Sequence, residues 1–249
     1  MRTAIVLLAL SIVLGGAVSA QDQPLTIPAA GLANMEQGTV EFWLKTAATV
    51  DSPKGWGTLL ALDYGTEKPS SMALSVMPMN GQVQMRVGFV VDGQELKWPF
   101  YVPVPGFAPK KWVHVAVTWT GGNNVTVYFD GKPVMANVGV EGSFNKALTP
   151  KATLSLGMPH ATRMAIDDLR ISSVARRPEE LGFSVIPLKA DDKTLYLANF
   201  ENMPEGKLAP AFAAAEAAKA PVSLLPHQRL MTGRDGKSLA FCDDSVFNP

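Results

Sequence analysis

The stretch KKWVHVAVTWTGGNNVTVYFDGKPV, Lys110 to Val134, alternates apolar and polar residues through two strand-length runs separated by turn residues. A helix repeats every 3.6 residues, whereas a strand sends successive side chains to opposite faces, so a period of two points to a hairpin with one buried side. Val113, Val115, Val117 and Trp119 share one face, and Val125, Val127 and Phe129 repeat it after Gly121-Gly122-Asn123-Asn124. Upstream, GTVEFWLK carries the same pattern: Val40, Phe42 and Leu44 face one way, Glu41, Trp43 and Lys45 the other.

Such patterns run from Leu25 to Ser172, punctuated by Asn80-Gly81, Asp92-Gly93 and Asp130-Gly131. These dipeptides tolerate positive φ and suit tight hairpin turns. Strands of this number and spacing predict an all-β, antiparallel two-sheet sandwich. Helix is scarce; RRPEELGF predicts a short one from Pro178, with Glu179 and Glu180 at its positive end. After Pro187 the composition changes. KTLYLANFE predicts one more strand near 194–200, and the alanine-rich APAFAAAEAAKAP a short helix near 210–220. From Val222 onward there is no clear periodicity, so residues 188–249 read as a C-terminal extension, either packed on the sandwich or linking it to something outside the chain.

The opening MRTAIVLLALSIVLGGAVSA has a positive charge at Arg2, an apolar run from Ala4 to Leu14 and a small-residue ending, Val18-Ser19-Ala20. That is the pattern of a secretory signal peptide over residues 1–20, with a mature chain from Gln21 and a secreted, extracellular, periplasmic or cell-envelope location. An uncleaved anchor is the rival reading, because the run reaches the short end of a bilayer span. The Gly15-Gly16 break and the Val-Ser-Ala site favour cleavage. Charge is balanced, 22 basic against 22 acidic residues scattered along the chain, which gives a nucleic-acid partner no electrostatic support. The single cysteine, Cys242, cannot form a disulfide within the chain and is either a free thiol or a link between chains.

Three segments in order, GTVEFWLKT, KKWVHVAVTWTGGNNVTVYFDGKPV, and LSLGM followed by MAIDDLRISSVARRPEEL, resemble the signature segments of laminin-G-like, concanavalin-A-like jelly-roll domains. The resemblance covers roughly Leu25 to Pro187, so the sandwich domain is expected over residues 21–187. It implies a jelly roll with a concave face, and glycan or protein ligands on that face or its rim, in some members through calcium. KTLYLANFEN is similar to a segment that often follows such domains in secreted bacterial proteins.

The resemblance also brings in glycoside hydrolases and lyases of the same fold. A retaining hydrolase needs an acid and a nucleophile facing one groove, which alternating carboxylates on one strand supply. No such strand occurs here. Glu36 with Glu41 and Asp167 with Asp168 are five apart or adjacent, and each pair projects to opposite strand faces. His114, His160 and His227 lie far apart without a second ligand at a zinc-site spacing. His114 sits opposite the valines and reads as packed between strands.

Asp167 shares parity with Leu169 and Ile171, which predicts an inward carboxylate. A buried charge needs a partner. Backbone amides are one; a calcium ion, with Asp63 and Asp168 as weaker ligands, is the other. Aromatic residues form a second candidate set: Trp56, Tyr64, Trp98, Phe100 and Tyr101 in loops, and Trp43 and Tyr128 with outward parity on their strands. A sugar ring stacks its apolar face on such a ring; the competing role is to clamp loops onto sheet edges. Asn124-Val125-Thr126 matches a glycosylation acceptor, relevant only in a eukaryotic secretory route.

These readings converge on a secreted, non-catalytic recognition domain for a glycan or a partner protein, with calcium as an open cofactor and no membrane span after signal cleavage. The alternatives are a structural or adhesive envelope component, oligomeric through Cys242 or the C-terminal extension, and a glycan-active enzyme of the same fold.

Overall fold

The computed structural model describes residues 23–46, 57–79, 82–96, 100–104, 110–157, 164–184, 187–201, 206–225, 228–234 and 236–241. Its strands form two antiparallel sheets whose apolar faces meet in one core. The first sheet has seven strands, in the order β1 (Leu25–Pro28), β11 (Thr153–Leu156), β3 (Gly57–Asp63), β4 (Ser71–Met79), β5 (Gln82–Val91) and β6 (Gln94–Glu95), with β7 (Phe100–Pro103) also paired to β5. The second has nine: β10 (Lys132–Gly139), β9 (Asn124–Phe129), β8 (Trp112–Thr120), β2 (Gln37–Thr46), β12 (Met164–Ser172), β13 (Thr194–Ala198) and β15 (Phe212–Ala213), plus the hairpin of β17 (Gln228–Thr232) and β18 (Lys237–Phe241). A two-stranded pair, β14 (Lys207–Leu208) and β16 (Val222–Ser223), stands apart.

The period-two pattern places the core as expected. Phe42 on β2 lies opposite Val115 on β8, and Val115 opposite Phe129 on β9. All three are buried between the sheets. Trp119, at the far end of β8, lies so close over β2 that a β-carbon on Gly38 would stand 2.2 Å from its ring, which leaves room only for glycine. Its indole donates to the Asn34 carbonyl at 2.9 Å, so the buried ring keeps its polar atom satisfied. The turns at Asp92-Gly93 (φ 52° and 79°) and Asp130-Gly131 (φ 49° and 73°) have positive φ at both central residues. This is the geometry that matches strand twist in two-residue hairpins. Asn80-Gly81 lies outside the described residues.

Two local expectations change. The alanine-rich segment forms the short strand β15 and a single 3₁₀ turn, Glu216–Ala218, in place of a helix of useful length. RRPEEL likewise makes only a 3₁₀ turn, Pro178–Glu180, closed by the Arg177 amide donating to the Glu180 carboxylate at 3.0 Å. Residues beyond Pro187 are built into the sandwich: β13 and β18 share one edge of β12, β18 along Met164–Ile166 and β13 along Leu169–Ser172. Tyr196, Phe200, Leu239 and Phe241 enter the common core. No helix among the described residues is long and apolar enough to cross a membrane.

Candidate functional site

The outward face of the nine-stranded sheet carries polar residues, yet much of it is closed. Glu41 on β2 is fully buried there. Its Oε1 accepts from Arg170 on β12, at 2.8 Å from Nε and 2.5 Å from Nη2, and its Oε2 accepts the Gly182 amide at 2.7 Å with His114 Nε2 at 3.2 Å. Arg170 also donates to the carbonyls of Glu180 and Lys189, and Arg176 bonds Ser172 and forms a two-pronged pair with Asp191 at 2.8 and 2.6 Å. Burial pushes the Glu41 carboxyl up, but the His114 bond, the Arg170 charge and the Gly182 amide outweigh it and hold it below the usual carboxylate range. The ordered ions fasten the segment after β12 across the sheet, and Glu41 and His114 have no path to solvent.

That cover decides the fate of several expected site residues. Trp43 and Tyr128 do point outward, but Trp43 is only 5% exposed, edge-on to His114 with the Arg234 guanidinium 3.6 Å above its ring centroid. Tyr128 is packed against Ala116 and Leu181. Neither offers a ring to a ligand. Tyr64, expected in an exposed loop, is a core residue with no exposed surface. Tyr101 is 40% exposed on the edge strand β7, while Trp56 and Trp98 lie outside the described residues, as do His160, His227 and Cys242.

Asp167 corrects the parity argument. The register of β12 against β2 slips between Asp167 and Arg170, and Asp168 there takes φ 50°. This β-bulge adds one residue and reverses the alternation. Ile166, Leu169 and Ile171 therefore all reach the core, and Asp167 faces outward opposite Trp43. It is nevertheless buried, its Oδ1 accepting the Asp168 amide and its Oδ2 the Arg234 amide, both at 2.9 Å. Desolvation, aided by the charges of Asp168 and Glu201, pushes its pKa up to about 7 against those two amides. Asp168 accepts the Leu188 amide at 3.2 Å, and Asp63, on the other sheet, accepts the Gly65 amide at 2.7 Å. The three carboxylates do not come together, and among the described residues no group of three acidic, histidine or cysteine side chains suits a metal ion. This donor set does not fit calcium.

Among the described residues, an open concavity lies at the loop rim of the seven-stranded sheet. A groove of about 670 Å³ runs between the β3–β4 loop (Gly65, Thr66, Glu67, Lys68), the β5–β6 turn (Asp92) and the loop before β11 (Thr149, Pro150, Lys151). Its walls are tied together. Tyr64 donates its amide to Ser70 O and accepts from the Thr149 amide, both at 2.9 Å, and Thr149 Oγ1 donates to Gly65 O at 2.9 Å. The amides of Asp92 and Gly93 donate to Ser70 Oγ and Pro69 O, and Lys146 pairs with Asp92. Gly65 (φ 70°) has no room for a β-carbon, which would meet the Ala152 amide nitrogen at 2.5 Å. A rigid floor thus presents lysines, carboxylates and hydroxyls to one cleft. Sequence parity cannot see it, because it is made by three loops; the closest signal was the carboxylate Asp63 at the strand end below it.

A model of the concanavalin A-like lectin/glucanases superfamily matches residues 19–182, well over half of the chain. The chain belongs to this superfamily. A search of curated proteins found no match. Solved structures with a similar arrangement include the mouse laminin α1 chain, domains LG4-5 (14% identity, 72% of this chain, 48% of that one, TM-score 0.46). Botulinum neurotoxin type C, whose cell entry depends on two ganglioside molecules, aligns at 18% identity over 58% of this chain and 34% of its own, with a TM-score of 0.43. The Trypanosoma rangeli sialidase, solved with 2,3-difluorosialic acid, aligns at 18% identity over 59% of this chain and 22% of its own, with a TM-score of 0.42. This superfamily member therefore spans less than half the length of each of these proteins.

Proposed function

We propose that this chain is a secreted, non-catalytic recognition domain that binds a glycan in the rim groove. The observation that carries the reading is the contrast between the two surfaces. The strand face carrying Trp43, Tyr128 and Asp167 is closed, whereas the rim offers an open groove lined by Glu67, Lys68, Asp92 and Lys151. Lys68, Lys151 and Glu67 supply donors and acceptors for sugar hydroxyls, and Asp92 is held in place by Lys146. With Tyr64 below the floor instead of on it, hydrogen bonds dominate over stacking, so a single sugar unit binds weakly and an extended chain better. Membership of a lectin-containing superfamily supports the class of ligand, and the apolar leader with its small-residue ending supports secretion.

A glycan array probed with the chain from Gln21 and with the Lys68→Ala/Lys151→Ala variant tests this. Binding to one glycan class that the variant loses supports the reading; release of reducing ends that Glu67→Gln abolishes would replace it with an enzyme.

A further inference from the structure

Two carboxylates hold the free end of the β17–β18 hairpin. Asp167 Oδ2 accepts the Arg234 amide at 2.9 Å on one side, and Glu201 Oε1 accepts the Lys237 amide at 2.8 Å on the other. Between them the Gly233 amide closes the hairpin on Gly236 O at 2.8 Å. Both carboxylates lie directly against glycine: a β-carbon on Gly233 would stand 2.5 Å from Asp167 Oδ2, and one on Gly236 would strike the Glu201 carboxylate. Held in this way, the hairpin sets the Arg234 guanidinium 3.6 Å above the Trp43 ring centroid and leaves that side chain closed to solvent. The Trp43 Nε1 beneath it is buried with no hydrogen-bond partner among the described residues. An unmet buried donor costs about 1–3 kcal/mol, which the indole recovers when water reaches it.

The hairpin is anchored unevenly along its length. At its base Leu239 and Phe241 enter the core, and β18 pairs with β12 over Met164–Ile166. That ladder ends where the bulge begins, so past Leu239 the Asp167 and Glu201 carboxylates take over from strand pairing.

The group that holds this end is also the one that releases it. Asp167 is buried, and desolvation, with the charges of Asp168 on its own strand and Glu201 after β13, disfavours its ionised form. From β2 it faces Trp43, which is edge-on to His114 of β8. On either side of Trp43 along β2, Lys45 lies by the Trp112 ring and Glu41 is paired with Arg170. From the hairpin, Arg234 gives Asp167 its amide and turns its guanidinium to the indole. Ionised Asp167 is therefore best relieved by water, which reaches it when Gly233 and Arg234 move aside.

We propose that this end of the hairpin is a proton-operated latch over Trp43: it is closed while Asp167 is neutral, and ionisation of Asp167 admits water, frees Gly233 and Arg234 and uncovers the indole. Protonation favours the closed arrangement, so opening increases as pH rises from the ordinary carboxyl range and levels off once Asp167 is ionised in the closed arrangement too. The latch lies on the nine-stranded sheet and does not depend on glycan binding in the rim groove.

Hydrogen exchange of the chain from Gln21, followed residue by residue by NMR between pH 4 and pH 9 with the intrinsic rate divided out, tests it. The Arg234 and Lys237 amides and the Trp43 indole N–H open together. Their opening rises by up to about a hundredfold from pH 5 to pH 8 and levels off above about pH 7. At every pH they exchange faster than Val115 in the core, which marks the opening as local. Asp167→Asn, which cannot ionise, abolishes the rise. Glu201→Gln keeps an acceptor for the Lys237 amide, removes one repelling charge and moves the levelling-off to lower pH; should Asp167→Asn not fold, that shift decides. Three results overturn the proposal: no pH dependence at these groups beyond the intrinsic rate, the same dependence in Asp167→Asn, or exchange that only follows Val115, which would make the opening global unfolding.

Discussion

Glu41→Gln tests the closed face of the sheet. The substitution keeps shape but removes the charge that two Arg170 nitrogens, the Gly182 amide and His114 surround, all without solvent access to the carboxylate. Removing one partner of a buried pair leaves the other uncompensated and costs about 3–5 kcal/mol. For a chain of this size that lowers the thermal midpoint by roughly 6–20 °C. Urea unfolding gives the free energy directly, provided the slope is unchanged. Glu41→Leu combined with Arg170→Met removes both charges, and because desolvation of the pair is then avoided, the double variant recovers most of the loss. A single variant that loses less than about 1 kcal/mol, the value of an exposed pair, would refute the reasoning.

Other perturbations follow from the same geometry. Gly38→Ala forces a β-carbon into the Trp119 ring and costs about 1–3 kcal/mol in urea unfolding, because overpacked cores must shift backbone. Asp167, with a pKa raised to about 7, favours the folded state when protonated: its contribution is complete below the unfolded carboxyl pKa and is lost as pH rises through 7. Stability measured by urea at pH 5 and pH 8 falls across that interval by at most about 2.5 kcal/mol from this group, and Asp167→Asn flattens the fall. A chain cut after Pro187 loses Tyr196, Phe200, Leu239 and Phe241 from the core and two strands from β12, and shows no cooperative thermal transition.

Much of the fold was legible because β2, β8 and β9 each turn an unbroken apolar row to the core and a mixed, more polar row to the other side, and period two is a direct record of that division. The Asp92-Gly93 and Asp130-Gly131 turns were legible for an equally local reason, since few residues accept their positive φ. Where the reading failed, the cause was nonlocal. A single inserted residue at Asp168 reversed the parity of Asp167, and nothing in MAIDDLRI announces a bulge. Trp43 and Tyr128 were assigned the correct side of their strands, but parity does not reveal that a later segment is fastened over that side through Glu41, Arg170 and Arg176. The β17–β18 hairpin was missed because its strands are five residues long and buried in part on both faces; Gly236, just before β18 at φ 85°, was the available signal. The rim groove, made of three loops, left no periodic trace at all.

Hydrogen exchange of the chain from Gln21, with and without the oligosaccharide that binds best on an array, tests the central claim most directly. Glycan recognition at the rim predicts protection confined to residues 64–70, 92–93 and 146–152, and its loss in Lys68→Ala/Lys151→Ala. Protection elsewhere with these loops unchanged would contradict it.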